Sequence, residues 1–235
     1  MSRPRHKVDE NYIAFSDIMT CLMIIFLFIA ISYIMEVFST NFKKDEIYNT
    51  ITDQMINQLN RQNVKLGKDL SLKFINQDNN DSDVLFDPGS AEMTNCFKRK
   101  LDSIWVPYQN IITQDTFLNY ISEIRIEGHT DTFPPRKSRQ NSYEYNLSLS
   151  SQRAQSVLHY VQNMDCYINL DSRKKERLQF LMTANGMSYS RALNDSGQIA
   201  YTSKLKTIIP SKSRRVEFRI VTTNEKLIQN LIKKE

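Results

Sequence analysis

The hydrophobic residues form one long run near the N-terminus and several short periodic segments after it. From residue 18 to residue 35 the chain carries no charge, and only Thr20, Ser32 and Tyr33 are mildly polar. A run of about 20 apolar residues crosses a hydrocarbon core of roughly 30 Å as a helix. We therefore predict one transmembrane helix over residues 12–38, preceded by a short segment, residues 1–11.

The residues on either side of this run predict its orientation. Arg3, Arg5, His6 and Lys7 precede it, whereas basic and acidic residues balance one another after it. This bias favours a cytoplasmic N-terminus and a periplasmic remainder. A cleaved signal peptide has a shorter apolar region followed by a cleavage site of small residues. We therefore expect an uncleaved, single-pass inner-membrane anchor.

One acidic residue, Asp17, lies inside the predicted span. An ionised carboxylate costs about 2.5 to 3.5 kcal/mol at the centre of a membrane helix and less near its edge, so acids there are usually functional. The alternative is a helix N-cap, because a short acidic side chain accepts hydrogen bonds from the free N–H groups of a helix start. The apolar residues before Asp17 favour an earlier helix start and hence a functional role.

Residues 39–70 are predicted to form a short connector helix. Ile47, Ile51, Met55 and Leu59 recur every four residues and form a narrow apolar stripe on one helical face. Such a stripe suits a helix that pairs with a copy of itself or lies on a neighbouring element. An ordinary connector is the equally weighted alternative.

Residues 71–225 have the pattern of one globular α+β domain, followed by a tail over residues 226–235. Short apolar segments predict strands at residues 72–75, 84–86, 121–126, 178–188 and 214–223, and amphipathic segments predict helices at residues 95–105 and 149–164. From the strand at residues 84–86 onward the order is β-α-β-α-β-β, which is typical of helices layered on a mixed sheet.

Composition excludes several classes of protein. Only 5 Gly and 6 Pro occur, with no Gly-rich nucleotide-binding loop. The net charge of +5 is spread thinly along the chain, so we expect no direct nucleic-acid partner. Cys21, Cys96 and Cys166 lack metal-site spacing, and we expect neither a metal nor a cofactor. Cys96 and Cys166 could pair in the periplasm or remain free thiols.

Four ordered motifs resemble those of OmpA-like peptidoglycan-binding domains: VLFDPGSAEM, IRIEGHTD, NLSLSSQRAQSV and SRRVEFRI. They cover residues 72–223. The segment YIAFSDIMTCLMIIFLFI is similar to the membrane helix of MotB-type stator subunits, in which one acidic residue carries protons. The connector and the stretch before GHTD are more similar to the ZorB family of Zorya anti-phage defence systems, whereas HTDTFPP is more similar to flagellar MotB.

The OmpA-like resemblance implies a binding site for the diaminopimelate of the peptidoglycan stem. Asp131 of the HTD motif and Arg153 of the LSxxRA motif would grip its charged ends, and Tyr145, Asn146 and Leu149 would line the pocket. A zwitterion needs an anion for its ammonium and a forked guanidinium for its carboxylate, which suits these types of residue. His129 is expected to be a satisfied histidine at a strand end.

The resemblance implies a B subunit of a proton-driven motor. Two copies of the chain would place Asp17 inside a ring of a multi-span A subunit of the MotA or ZorA type, present in five copies, while peptidoglycan holds the outer domain. A passive envelope tether is the main alternative. An envelope hydrolase ranks last, because no motif pairs a nucleophile with a base, and we expect no enzymatic activity.

Overall fold

A computed structural model describes residues 6–75, 84–133, 141–204 and 206–223, with side chains described from Tyr12 onward except at positions 40 and 41. The chain divides into two units, Met1–Phe42 and Lys43–Glu235. The side chains of the predicted segment 1–11 lie outside the described residues. So do the predicted turn at 76–83, the basic loop residues Arg136, Lys137 and Arg139, and the predicted tail 226–235.

The N-terminal helix α1 (His6–Arg61) is continuous. No Gly or Pro occurs between residues 5 and 66, so nothing in the sequence interrupts the backbone hydrogen bonds. Asn63 follows the helix with a φ of 52°, the left-handed conformation common after helix ends. One helix therefore runs through the predicted membrane span, residues 12–38, and into the predicted connector, residues 39–70, as far as Arg61.

In the first unit, the side chains of α1 are exposed along the apolar run. By length and composition this helix could cross a membrane, and none of its most apolar stretch is buried. An isolated helix with a continuous coat of Ile, Leu, Met and Phe requires lipid or another apolar surface around it.

The second unit is built on a five-stranded sheet in the order β1-β2-β5-β3-β4. All neighbouring strands are antiparallel except β3 and β4, which are parallel. The strands are β1 (Val64–Leu66), β2 (Ser71–Ile75), β3 (Ile121–His129), β4 (Met182–Gly186) and β5 (Arg215–Thr222). The helices are α2 (Asn95–Ile112), α3 (Asp115–Leu118), α4 (Ser142–Gln162), α5 (Asp165–Ile168), α6 (Ser172–Leu181) and α7 (Pro210–Ser213). The predicted α+β class with a mixed sheet is confirmed.

Two predicted strands differ from the observed elements. Residues 84–86 form no strand, and Phe86 makes only an isolated bridge with Met93. The strand predicted from residue 178 begins at Met182, because the preceding residues belong to α6. Leu178 and Leu181 are buried while Phe180 is 81% exposed. Buried residues three positions apart are typical of a helix, whereas in a strand every second residue is buried.

The stripe of Ile47, Ile51, Met55 and Leu59 is completely buried within the core of the second unit. Next to it, Gln58 Nε2 donates a hydrogen bond to the main-chain oxygen of Ser103 in α2, at 2.5 Å. The end of α1 therefore lies on a neighbouring element of its own domain, as one interpretation predicted. The interpretation of this stripe as a seam between two copies is wrong, because no apolar surface on it remains available.

The cysteines are not paired. Cys21, Cys96 and Cys166 are all free thiols, so the suggested bridge between Cys96 and Cys166 is not formed.

Candidate functional site

Asp17 lies eleven residues inside α1, counted from the first described helical residue, His6. An N-cap residue stands at the start of a helix with non-helical backbone, so the capping interpretation is wrong. The Asp17 side chain is exposed among exposed apolar neighbours such as Ile13 and Ile18. Among the described residues, none forms an ion pair with it.

Asp131 lies two residues beyond the end of β3 and is buried. Its Oδ1 accepts a hydrogen bond from the main-chain N–H of Phe133, at 3.0 Å. Its Oδ2 accepts one from Nη1 of Arg214, at 2.6 Å. The first bond fixes the direction of the side chain through a local turn, and the second neutralises its charge. Both carboxylate oxygens therefore have a donor in this structure.

Arg153 lies in the middle of α4 and is also buried. Its Nε donates to the main-chain oxygen of Ser90 at 2.8 Å, and its Nη2 donates to that of Asp87 at 3.1 Å. The guanidinium carbon lies 4.9 Å from the centre of the Phe86 ring. Burial lowers the pKa of Arg153 to about 10, although the nearby Asp131 raises it. The group thus stays charged at neutral pH and holds the loop before α2 against α4.

The other three predicted pocket residues share the face of α4 that carries Arg153, because positions 145, 146, 149 and 153 fall on one side of a helix. Asn146 Nδ2 donates to the main-chain oxygen of Phe133 at 3.2 Å, next to Asp131. Leu149 is buried. A Cβ placed on Gly89, whose φ is 72°, would lie 3.3 Å from the Tyr145 hydroxyl, so the loop passes close to that ring. The structure brings the five predicted residues into one region.

This arrangement depends on the close approach of α4 to β3. A Cβ at Gly128 would lie 2.2 Å from the main-chain oxygen of Ser150, which no real side chain allows. Gly128 directly precedes His129 at the end of β3. The glycine of the GHTD motif therefore lets α4 pack close enough to bring its polar face beside Asp131.

Sequence reasoning missed Arg214. It belongs to the SRRVEFRI motif and stands between α7 and β5, 83 positions from its partner Asp131. The motif itself was a usable signal, because adjacent residues where a strand begins point to opposite sides of it, here Arg214 before β5 and Arg215 as its first residue. Arg215 turns to the opposite side, where its Nε donates to Glu217 Oε1 at 2.6 Å.

A second group of ionisable residues, Glu127, His129 and Glu217, offers three possible metal ligands within 4.8 Å of one another, and all three are buried. Arg191 Nη1 lies 3.2 Å from Glu127 Oε2, and Arg215 already binds Glu217. These guanidinium groups neutralise the carboxylates and repel a divalent cation. The three residues therefore fit a metal poorly.

His129 has the expected position at the end of β3, but its ring nitrogens do not form the hydrogen bonds that we expected. Its Nε2 lies 3.3 Å from Glu127 Oε2, and neither ring nitrogen has a hydrogen-bond partner among the described residues. Burial lowers the pKa of His129, although Glu127 opposes this effect. Burial also opposes the ionisation of Glu127, but His129 and Arg191 lower the pKa of that carboxyl below its usual value.

Comparison with known proteins relates the sequence to one family and one relative. Residues 85–198 match the OmpA family. Zorya protein ZorB of Escherichia coli is 29% identical over 232 residues, covering 95% of this chain and 93% of that protein.

The solved structures that resemble this chain have lower sequence identity to it. A MotB-like protein from Desulfovibrio vulgaris is 19% identical, with a TM-score of 0.46 over 75% of this chain and 94% of that one. The cell wall anchor of the T6SS from Pseudomonas aeruginosa is 19% identical, with a TM-score of 0.41 over 73% of this chain and 96% of that one.

The family match spans the loop that Arg153 holds, the end of β3 with Asp131, and the whole of α4. The alignment with ZorB extends far beyond this domain, since it covers nearly the entire chain. The resemblance predicted from the motifs is thereby confirmed: the chain combines one long apolar N-terminal helix with an OmpA-like domain, and it resembles Zorya protein ZorB.

Proposed function

We propose that this chain is the B subunit of a proton-driven motor in the inner membrane, anchored to peptidoglycan and acting in anti-phage defence of the Zorya type. The observation that carries the proposal is the union of an acidic apolar helix with an OmpA domain in a chain that aligns end to end with ZorB. In this arrangement the N-terminus is cytoplasmic and the OmpA domain is periplasmic.

The outer domain binds the peptide stem of peptidoglycan at Asp131 and Arg153. The ammonium group of diaminopimelate replaces Arg214 at Asp131, and the released Arg214 joins Arg153 in binding the carboxylate. The geometry supports this exchange, because the Arg214 side chain is about one third exposed to solvent while it contacts Asp131. Arg153 is less able to move, since two main-chain oxygens hold it.

The membrane helix carries protons at Asp17. An exposed carboxylate without an ion-pair partner among the described residues, in a helix that needs an apolar environment, is costly when ionised, and we therefore assign it the role of proton carrier. Two copies of the chain place their Asp17 side chains inside a ring of multi-span A subunits. Binding and release of protons at Asp17 then rotate the ring of A subunits around the two copies of this chain, which peptidoglycan holds in place.

Isosteric amide substitutions test the two sites separately. The full-length Asp17→Asn chain, expressed with its membrane partner, should reach the membrane and sediment with purified sacculi, yet lose both proton flux and phage protection. The Asp131→Asn chain should lose sedimentation with sacculi, with affinity falling about tenfold or more, because a charge-assisted bond is removed.

Two matched controls accompany these variants. Asp53→Asn changes an exposed carboxylate farther along the same helix, and Asp195→Asn changes an exposed carboxylate on the OmpA domain. Both should behave like the wild type. Phage protection that survives Asp17→Asn but not Asp131→Asn would identify a passive tether and reject the motor. Loss of flagellar motility in place of phage protection would assign the same machinery to a stator.

A further inference from the structure

The face of the sheet opposite the core carries a second polar site. Because side chains alternate along a strand, Ile124 and Ile126 of β3 point into the core while Glu127 lies on the other face. The segment between β4 and α7 covers part of this face and encloses a cleft of about 630 Å³. Clefts of this volume suit small molecules. The cleft shares no lining residue with the stem site.

Cations predominate in the lining of this cleft. It contains four basic side chains, Lys73, Arg191, Arg215 and Arg219, and two acidic ones, Asp69 and Glu217. Glu127, which binds Arg191, adds one more negative charge. The balance remains positive, and the lining also contains the neutral polar residues Gln198, Thr202 and Ser203.

These cations differ in how firmly they are held. Arg215 is fixed, because its three nitrogens donate to Glu217 Oε1 at 2.6 Å, to the main-chain oxygen of Ser213 at 3.1 Å and to that of Arg191 at 3.2 Å. Lys73 Nζ lies 4.0 Å from Glu217 Oε1, and the Lys73 side chain is about a quarter exposed. An ammonium group at that distance gains little from its partner and can turn to a ligand.

We propose that this cleft binds a small soluble acidic ligand, whose phosphate or carboxylate group is held by Lys73 and Arg191 in the positive field of Arg215. The same charges that make Glu127, His129 and Glu217 a poor metal site favour an oxyanion here. Charge-assisted bonds from a guanidinium and an ammonium are the usual means of binding such groups.

Titration calorimetry of the full-length chain in detergent tests this proposal, with inorganic pyrophosphate and citrate as probes. At least one probe should bind, and added NaCl should weaken its binding. Lys73→Gln should lower the affinity about tenfold, because one charge-assisted bond is lost. Binding of pyrophosphate alone would assign a phosphate ligand, and binding of citrate alone a carboxylate ligand.

Two control variants locate the binding. Arg99→Gln removes an exposed charge on α2 and should leave the affinity unchanged. Asp131→Asn should also leave it unchanged, so failure of stem binding and failure of the cleft are distinguishable. Absence of binding by both probes would overturn the proposal. An equal loss of affinity in Arg99→Gln, or a loss in Asp131→Asn, would overturn it as well.

Discussion

Burial of His129 makes its protonation unfavourable in the folded domain. Its ring faces Glu127 and lies near Arg215 and Glu217, and desolvation together with Arg215 lowers its pKa more than the two carboxylates raise it. In the unfolded chain the pKa returns to about 6.5. Below that pH the unfolded state binds a proton that the folded state does not, so stability falls as the pH decreases.

We therefore expect the thermal unfolding midpoint of the OmpA domain to fall between about pH 6.5 and pH 5. The lowered pKa of Glu127 contributes to a loss of stability only at lower pH. His129→Gln should flatten the profile in the upper window, whereas His159→Gln, at an exposed position, should not. Unfolding of the full-length chain, followed by circular dichroism from pH 5 to pH 8, checks this. An unchanged slope in His129→Gln would contradict it.

At the scale of elements, the last turns of α1 belong to the core of the OmpA domain. Ile47, Ile51, Met55 and Leu59 lie on one face and are covered by that domain. Burying a stripe of this kind removes apolar side chains from water. Each buried side chain stabilises the folded domain by roughly 1.5 to 3 kcal/mol. This segment is therefore part of the folded domain and is not an independent linker.

Ile51→Ala should destabilise the OmpA domain by about 2 to 5 kcal/mol, because it leaves a cavity in a packed core. Ile56→Ala, on the more exposed side of the same helix, should cost much less, since Ile56 is 39% exposed. Urea unfolding of the full-length variants in detergent measures both changes. Equal stabilities would contradict the packing described. A change in oligomeric state without loss of stability would instead support the interpretation that this stripe pairs two copies of the chain.

The whole molecule combines an apolar helix that carries one acidic residue, Asp17, with an OmpA-like domain. Under the proposed function, neither part suffices, because an unanchored motor turns with its load and an anchored chain without Asp17 is inert. An inactive but anchored copy should therefore interfere with active copies, since it occupies the same partner subunits.

Excess Asp17→Asn chain, produced in cells that also express the wild type, should reduce phage protection at least severalfold. Measurement of plaque formation against the ratio of the two chains checks this, and excess Asp53→Asn serves as the matched control. Undiminished protection at a large excess of membrane-inserted Asp17→Asn chain would contradict the homodimer. It would then show that each copy acts alone.

The sequence was sufficient for the features that depend on local pattern. The length of the apolar run predicted the helix around Asp17, and ordered motifs predicted the OmpA-like domain and the region of Asp131 and Arg153. It was insufficient at residues 178–181, where a short apolar segment suits a strand or a helix equally and only packing decides. Helix α1 continues from the predicted span into the predicted connector, because a change of polarity does not break a helix.

Tertiary structure alone decided which distant charges meet. Arg214 reaches Asp131 from 83 positions away, and Arg191 reaches Glu127 from 64 positions away. No local periodicity encodes such pairs, because they arise from the register of β3 against β5 and from the path of the loop after β4. The sequence by itself determined an acidic apolar helix and an OmpA-like domain. The fold determined that the stripe of α1 is core and that Asp131 is paired, because burial and long-range ion pairs exist only once the strands are aligned.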